Sequence, residues 1–227
     1  MAQRPVFEVS DHSPYMIKKN IEFPYFSGFA AVQKQRSSES LRTEYLKKNP
    51  GKKVLEISRY SDQPLGVALS AFNLMIHQKN GQSYSVECAF QAGKVFEKGG
   101  PYKDLLEKTS REAKKDPRLK NSGGVVGFQC NGMNFPTEPK TYYYDWLYVN
   151  ALYLHKEYHE ELLQYDAFTD IVFNPQKQIN CQAEAAAMFV SLYRADLLEK
   201  VLNKDAFLEY VFHGKKAVQY HQQTLFE

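Results

Sequence analysis

The stretch "SVECAFQAGKVF", residues 85–96, carries two kinds of side chain at helical spacing. Counted from Val86, apolar residues recur at +3, +4, +7 and +10, which places them on one face of a helix. Glu87, Gln91 and Lys94 follow one another at intervals of four and three residues, so they share a neighbouring face. The pattern predicts a helix that packs one side on the core and presents an acid, an amide and an amine on the other.

The predicted helix, residues 86–98, begins with a favourable arrangement of polar side chains. Ser85 suits the N-cap position, and Glu87 then lies near the positive end of the helix dipole, which stabilises a carboxylate. A carboxylate there can act as a nucleophile, as a general base or as a stabiliser of positive charge. The same spacing is common on solvated helices, where an acid near the start and a lysine near the end only complement the dipole. Both interpretations stay open at this point.

The composition is that of a globular protein with many aromatic rings. Of 227 residues, 43% are hydrophobic and 24% are charged, while Phe, Trp and Tyr make up 14%. Rings in that number either pack the core or stack on bases and sugars, and composition favours the core. The net charge of +3 permits an anionic ligand without requiring nucleic acid.

Cysteine usage and hydropathy indicate a reducing, aqueous compartment. The three cysteines, Cys88, Cys130 and Cys181, are odd in number and widely spaced, which is typical of reduced thiols. The N-terminal segment lacks the apolar stretch of a secretory signal, and no apolar run approaches the roughly 20 residues of a membrane span. We therefore expect a cytoplasmic protein without membrane contact.

The rest of the chain predicts one domain over residues 1–227, because no linker or repeat divides it. Its class is expected to be α+β, predominantly helical, with a few short strands. Further helices are predicted over residues 38–48, 102–115, 141–165, 181–202 and 204–224. A strand is predicted over 53–60 and a tight turn at Asn80-Gly81. Residues 5–32, 118–132 and 166–182 are predicted to be largely irregular, and 65–76 to be either a strand or a buried segment.

Neither the histidines nor the cysteines predict a metal site. His155 and His159 are one helical turn apart, which is a metal-ligand spacing, but no third ligand accompanies them. The metalloprotease pattern requires Glu directly after the first His, and Lys156 stands there instead. The cysteines have no C-x-x-C spacing.

The opening stretch and the segment before it resemble the signature of the NADAR (NAD- and ADP-ribose-associated) family. The matching residues are Leu69, Ser70, Phe72, Gly81, Tyr84, Val86, Glu87, Phe90, Gln91 and Lys94. Later segments resemble further family motifs through Ser110, Glu112, Ala113, Lys114, Asp145, Trp146 and Asn180. The last match departs from the pattern, because Ile179 stands where the family has Gly. The resemblance covers about residues 60–195, between an N-terminal extension, 1–59, and a C-terminal helical tail, 196–227.

The whole chain is most similar to the branch of the family associated with DarT-type ADP-ribosyltransferase toxins. The resemblance implies an antitoxin that removes ADP-ribose from guanine bases of DNA, with no cofactor and no metal. Other branches are similar to N-glycosidases of small ribosylated metabolites, and a non-catalytic ADP-ribose-binding module is a third alternative. The implied partners are ADP-ribosylated DNA or ADP-ribose, with a cognate toxin as a further candidate.

The implied reaction breaks a bond between ribose C1 and a nitrogen, so it needs a carboxylate beside the developing oxocarbenium charge. Glu87 is the expected catalytic carboxylate, and Gln91 is expected to orient it or a ribose hydroxyl. Lys94 is expected to contact a phosphate or orient other groups, or else to attack the anomeric carbon if burial lowers its pKa. Trp146 would stack on a base or ribose, or anchor the core, and Asp145 would be a second acid or a surface charge.

The remaining candidate ligand-binding residues can also be explained by ordinary structural roles. Arg59, Lys34 and Arg36 suit a pyrophosphate, because a guanidinium or ammonium binds phosphate oxygens, but each is otherwise a solvated charge. The Gly-rich segment 121–127 lacks the strand-to-helix context of a phosphate-binding loop. Asn180 would hold a ribose hydroxyl or serve as a turn residue. The expected substrate-binding set is Arg59, Ser70, Phe72, Asn73, Tyr84, Gln91, Asp145, Trp146 and Asn180.

Overall fold

The computed structural model describes residues 1–28 and 30–213, and the described chain opens with two seven-residue strands. These strands, β1 (Ala2–Glu8) and β2 (Ile17–Phe23), pair antiparallel, so the prediction of an irregular segment over 5–32 is wrong. The last four residues of β1 are all buried, and only the last residue of β2 is buried. Strand β1 therefore lacks the alternation of buried and exposed residues that identifies a strand in sequence, and β2 alternates mainly between exposed and half-buried positions.

Both strands belong to a four-stranded sheet with the order β2-β1-β9-β3. Strand β3 (Val54–Glu56) lies parallel to β9 (Ala167–Thr169), and β9 lies antiparallel to β1. The strand predicted over residues 53–60 is present but shorter. Strand β9 lies within the segment predicted to be irregular, and it is wholly buried.

Helix α1 (Ala31–Lys48) packs against this sheet. It confirms the helix predicted over 38–48 and begins earlier. Leu41 and Tyr45 on its inner side join a small apolar cluster with residues from all four strands or their immediate continuation. The sheet and α1 thus form one layer of the protein.

The segment of uncertain type, residues 65–76, resolves into a short helix, a turn and a strand. Helix α2 (Pro64–Ala68) comes first, and strands β4 (Met75–His77) and β5 (Ser83–Ser85) form a hairpin. Gly81 between them has φ of 87°, a conformation that favours glycine, so the predicted Asn-Gly turn is confirmed.

Helix α3 (Val86–Ala92) begins where predicted but ends six residues early. After Gly93 the chain becomes strand β6 (Lys94–Phe96), which pairs with β7 (Val125–Cys130) in a second sheet. A Cβ at Gly93 would collide with the Tyr143 hydroxyl, so the chain passes this point only with glycine. The prediction of helix through residue 98 is wrong because pairing with a distant strand outweighs local periodicity.

The remaining elements complete a largely helical second layer. They are β8 (Met133–Phe135), a 3-10 helix (Lys103–Glu107), α4 (Ser110–Lys115), α5 (Arg118–Asn121), α6 (Tyr142–Leu154), α7 (Lys156–Leu162), α8 (Gln182–Arg194), α9 (Leu198–Val201) and α10 (Lys204–Phe212). The helices predicted over 102–115, 141–165 and 181–202 are therefore each interrupted. The predicted loop 118–132 contains β7, and the part of the C-terminal helix predicted beyond residue 213 lies outside the described residues.

The interior is dominated by aromatic side chains from α6 and the elements packed on it. The largest fully buried residues are Tyr45, Tyr142, Tyr143, Tyr148, Phe7, Phe23, Phe168, Phe189 and Phe207. The aromatic content of the sequence thus serves mainly as core, and the α+β, predominantly helical class is confirmed. Within the described residues, no helix has both the length and the apolar character needed to cross a membrane. All three cysteines are free.

Asp145 on α6 is buried in this core rather than exposed on a helix surface. It is 1% exposed, and among the described residues neither carboxylate oxygen has a hydrogen-bond partner. Burial, followed by the nearby Glu184 carboxyl, raises the pKa of Asp145 well above its ordinary value. The native protein therefore holds this carboxyl as a neutral acid.

We expect Asp145→Asn to raise the free energy of unfolding at neutral pH. A carboxyl with a raised native pKa costs stability as pH rises above its unfolded pKa of about 4. The difference between Asp145→Asn and wild type should accordingly grow as pH rises from about 4. Chemical denaturation across pH measures it, with Asp11→Asn at an exposed position as the control. A difference that shrinks with rising pH contradicts this account.

Candidate active site

A cavity of about 560 Å³ opens beside the start of α3, and we call it the Glu87 cavity. Its walls come from α3, α4, α6, the turn after α2 and the segment between β9 and α8. The polar and charged residues that line it are Ser58, Arg59, Ser70, Glu87, Gln91, Arg111, Lys114, Lys115, Tyr144, Asp170, Gln178, Asn180 and Gln182. Segments far apart in sequence therefore meet at one concave site.

Backbone and side-chain hydrogen bonds fix the position of Glu87. Ser85 caps α3 as predicted, because its Oγ accepts from the Cys88 N–H at 3.1 Å. The Glu87 N–H donates to the Ala71 carbonyl at 2.8 Å. The Glu87 side chain is 5% exposed, so it lies in the cavity wall and not on a solvated helix face.

The three polar residues of the opening stretch form one hydrogen-bonded chain. Lys94 Nζ donates to Gln91 Oε1 at 2.8 Å, and Gln91 Nε2 donates to Glu87 Oε1 at 2.8 Å. Lys114 Nζ lies 3.6 Å from the same Glu87 oxygen. The Glu87 carboxyl therefore lies beside an amide donor and a lysine, at the start of the helix.

Lys94 occupies a half-buried position behind Gln91 and does not line the cavity. Its ammonium lies 4.7 Å from the centroid of the Phe90 ring. Burial lowers the pKa of Lys94 to about 8, although the Glu87 carboxylate acts in the opposite direction. This position suits the orienting role expected for Lys94 better than direct contact with a ligand in the cavity.

The turn after α2 supplies Ser70 and Phe72 to the cavity but not Asn73. The Asn73 side-chain amide donates to the Val67 carbonyl at 2.9 Å and is exposed, so it closes α2. Gln182, which the sequence did not indicate, accepts from the Ala71 N–H at 2.7 Å and donates to the Ile57 carbonyl at 2.7 Å.

Asn180 and Arg59, two of the expected ligand-binding residues, do line the cavity. The Asn180 Oδ1 atom is buried, and among the described residues it has no hydrogen-bond partner. Arg59 is exposed at the mouth, where its guanidinium lies 4.7 Å from the Tyr60 ring centroid. The first side chain offers an acceptor for a hydroxyl, and the second offers a cation.

Three other residues that were expected to bind substrate do not line the cavity. The Trp146 indole donates to the Leu202 carbonyl at 2.8 Å and packs on Phe135, which corresponds to the core-anchor alternative. The Tyr84 hydroxyl accepts from the Gln78 amide at 2.8 Å within the hairpin region. Asp145 is buried in the core, away from the residues that line the cavity.

The cations Lys34 and Arg36 lie on α1 and do not line the cavity either. Lys34 Nζ donates to the Tyr25 hydroxyl at 2.5 Å, and the Arg36 guanidinium lies 4.1 Å from the Phe26 ring centroid. In the Gly-rich segment, the Gly124 N–H donates to Glu97 at 3.1 Å. These groups stabilise local structure.

Both histidines of the spaced pair are engaged in hydrogen bonds. His155 bonds Glu157 through Nδ1 and the Met75 carbonyl through Nε2, each at 2.7 Å. His159 bonds the Leu152 carbonyl at 3.0 Å. Over residues 1–28 and 30–213, His, Cys, Asp and Glu side chains form no cluster of three or more that is arranged to hold a metal ion.

Helix α4 contributes a basic rim that the sequence interpretation underestimated. Arg111, Lys114 and Lys115 lie at positions i, i+3 and i+4, so they share one helix face, and all three line the cavity and are exposed. The sequence alone could have predicted this shared basic face from the spacing of the three cations. Tyr144 and Asp170 also line the cavity, but nothing in the local sequence around Asp170 separates it from an ordinary loop acid.

A buried carboxyl at a helix start, an amide and a lysine hydrogen-bonded in series behind it, and a basic rim therefore meet at one cavity. Comparison with protein families agrees with the resemblance seen in the sequence. The model of the DarT1-associated NADAR antitoxin family matches residues 2–221, nearly the whole chain. The chain therefore belongs to the DarT1-associated NADAR antitoxin family. A comparison with curated proteins found no match.

We expect the Lys94 amine to titrate near pH 8 and to respond to Glu87. Because the carboxylate raises the Lys94 pKa, Glu87→Gln should move the half-maximal pH of Lys94 acylation below that of wild type. Peptide mass spectrometry after brief acylation across pH measures the shift, and the exposed Lys98 serves as an internal control that should not change. An unaltered or rising Lys94 profile in the variant would show that the two groups are not coupled.

Proposed function

We propose that this protein is an ADP-ribosyl glycohydrolase that removes ADP-ribose from guanine bases of DNA and thereby acts as the antitoxin to a DarT-type toxin. The observation that carries the proposal is the Glu87 carboxylate, buried in a cavity wall and held by Gln91 at 2.8 Å. The family match supports the antitoxin role. An activity on ADP-ribosylated DNA would be consistent with a cytoplasmic location.

The chemistry follows from the charge that develops when the C1–N bond breaks. Positive charge appears at C1 and the ring oxygen of the ribose, and an ionised carboxylate beside C1 stabilises it. Glu87 fills that role and can also remove a proton from the attacking water. Gln91 and Lys94 act on Glu87 through the hydrogen-bonded chain. The Gln91 amide fixes the orientation of the carboxylate, and the Lys94 ammonium adds a positive charge at the end of the chain.

The other cavity residues match the parts of ADP-ribose. The rim cations Arg59, Arg111 and Lys115 suit the pyrophosphate. The unsatisfied Asn180 Oδ1 suits a ribose hydroxyl, which would donate to it. Phe72 and Tyr144 provide ring surfaces for a base or for the ribose face.

Two alternatives make different predictions on the same site. An N-glycosidase of a small ribosylated metabolite would use Glu87 in the same way but would turn over the small molecule and leave ADP-ribosylated DNA intact. A non-catalytic ADP-ribose-binding module would bind the modified oligonucleotide without releasing ADP-ribose. Product analysis by mass spectrometry after incubation with ADP-ribosylated guanosine DNA separates all three.

Glu87→Gln is expected to keep the fold and to lose turnover of ADP-ribosylated guanosine DNA by at least about 100-fold. The amide retains the shape of the carboxylate but cannot balance the charge at C1. The control is Glu112→Gln, whose residue caps α4 and faces Thr109; Gln still satisfies that capping arrangement, so activity should persist. Release of ADP-ribose at the wild-type rate by the Glu87 variant would falsify the mechanism.

Arg111→Gln is expected to raise KM about tenfold, the effect of losing roughly one charge-assisted hydrogen bond. If Arg111 contacts the pyrophosphate of ADP-ribose, KM rises equally for ADP-ribosylated guanosine nucleoside and for an ADP-ribosylated oligonucleotide. The matched control is Lys120→Gln, which removes an exposed cation outside the cavity. An effect confined to the oligonucleotide, together with a smaller salt dependence, would reassign Arg111 to the DNA backbone.

A further inference from the structure

The Glu87 cavity contains a second buried carboxyl group, Asp170. It follows directly after β9, is 8% exposed and lines the same cavity as Glu87. Both carboxyl groups act electrostatically on the Tyr144 hydroxyl and contribute to its raised pKa. Tyr144, which also lines the cavity, is therefore within electrostatic range of both acids.

The hydrogen bonds of Asp170 identify which of its oxygens can carry a proton. The backbone N–H groups of Val172 and Phe173 both donate to Oδ1, at 2.9 and 3.1 Å. Two donors occupy both lone pairs of a carbonyl-type oxygen. In the protonated acid, Oδ1 is therefore the carbonyl oxygen and the proton lies on Oδ2.

Of the two neighbouring carboxyls, Glu56 and Asp170, we assign the proton to Asp170. Glu56 accepts from the Thr169 hydroxyl at 2.6 Å and from the Ile171 N–H at 2.9 Å, one donor on each oxygen. Burial raises the pKa of Glu56 as well, but these two donors stabilise its ionised form. Two adjacent buried carboxyls do not ionise together easily, so the proton belongs to Asp170.

The remaining surroundings of Asp170 agree with a carboxyl that is partly protonated near pH 7. Burial and then the Glu56 carboxyl raise the pKa of Asp170 to about 7. The other titratable groups within electrostatic range of Asp170 are Tyr144, Tyr148 and Cys181; burial raises the pKa of each, so they are neutral there and add no charge beside it. A carboxylic acid with a pKa near the working pH is suited to donate a proton.

We propose that Asp170 is the general acid of the site, which protonates the departing base while Glu87 acts at the anomeric carbon. The inference rests on the proposed glycohydrolase function. As the C1–N bond breaks, its electron pair moves to the base nitrogen, which takes the proton from Asp170 Oδ2. Water then adds to C1 and gives one proton to the Glu87 carboxylate. Exchange with solvent returns Glu87 to the anion and Asp170 to the acid.

The test compares two leaving groups in wild type, Asp170→Asn and Glu87→Gln. Asn at 170 keeps an oxygen for the two backbone donors but has no acidic proton. One substrate is ADP-ribosylated guanosine DNA, whose base must be protonated to leave. The other is ADP-ribose with 4-nitrophenoxide at C1, which leaves as an anion without a proton. Asp166→Asn is the matched control, because Asp166 precedes β9, its side-chain carboxylate accepts from the Lys53 N–H, and it does not line the cavity.

Asp170→Asn is expected to lose about 100-fold or more on the guanosine substrate and less than about threefold on the nitrophenyl substrate. Glu87→Gln should lose activity on both, and Asp166→Asn on neither. Equal losses on the two substrates, or no loss on guanosine DNA, would overturn the role of Asp170. Failure of the wild-type protein to act on guanosine DNA would instead overturn the proposed function, so the two failures are distinguishable.

Discussion

The site depends on one side-chain amide, Gln182, which joins segments that are distant in the chain. Its Oε1 accepts from the Ala71 N–H and its Nε2 donates to the Ile57 carbonyl, both at 2.7 Å. The Ala71 carbonyl in turn accepts from the Glu87 N–H at 2.8 Å. The chain after β3, the turn after α2 and the start of α3 are thereby held in one register, and a shift of any of them would move the Glu87 carboxylate relative to the cavity.

Near the hydrogen bonds of Gln182 the protein buries several acidic side chains, and their surroundings differ. A buried carboxylate is costly unless donors or cations compensate it. Glu87 has an amide donor at 2.8 Å and a lysine at 3.6 Å, so its charge is supported. Burial and then the Glu56 carboxyl raise the pKa of Asp170 to about 7, although the two backbone donors on its Oδ1 act in the opposite direction. One cavity thus holds two buried carboxyl groups in different surroundings.

The part of the site that lies on one helical segment was predictable, and the part assembled from several segments was not. The spacing of Glu87, Gln91 and Lys94 indicated a shared face, and the structure brings them into one hydrogen-bonded chain. Trp146 matched a family motif as well as Glu87 did, but it donates to a backbone carbonyl in the core. Asp170 gave no local signal, because its place in the cavity wall depends on where β9 lies in the sheet, beside the distant strand β3.

The sequence by itself determined the α+β, largely helical class, the Asn-Gly hairpin, the Ser85 cap and the polar face of α3, because each of these follows from interactions between residues a few positions apart. Tertiary structure alone decided that α3 stops at Gly93, where a side chain would meet Tyr143, and that Lys94 lies behind Gln91 and outside the cavity. It also decided which acids are buried and which lie at a common site. These features depend on which distant segments of the chain become neighbours, because that determines burial, the electrostatic environment and long-range strand pairing. Local periodicity in the sequence contains no information about it.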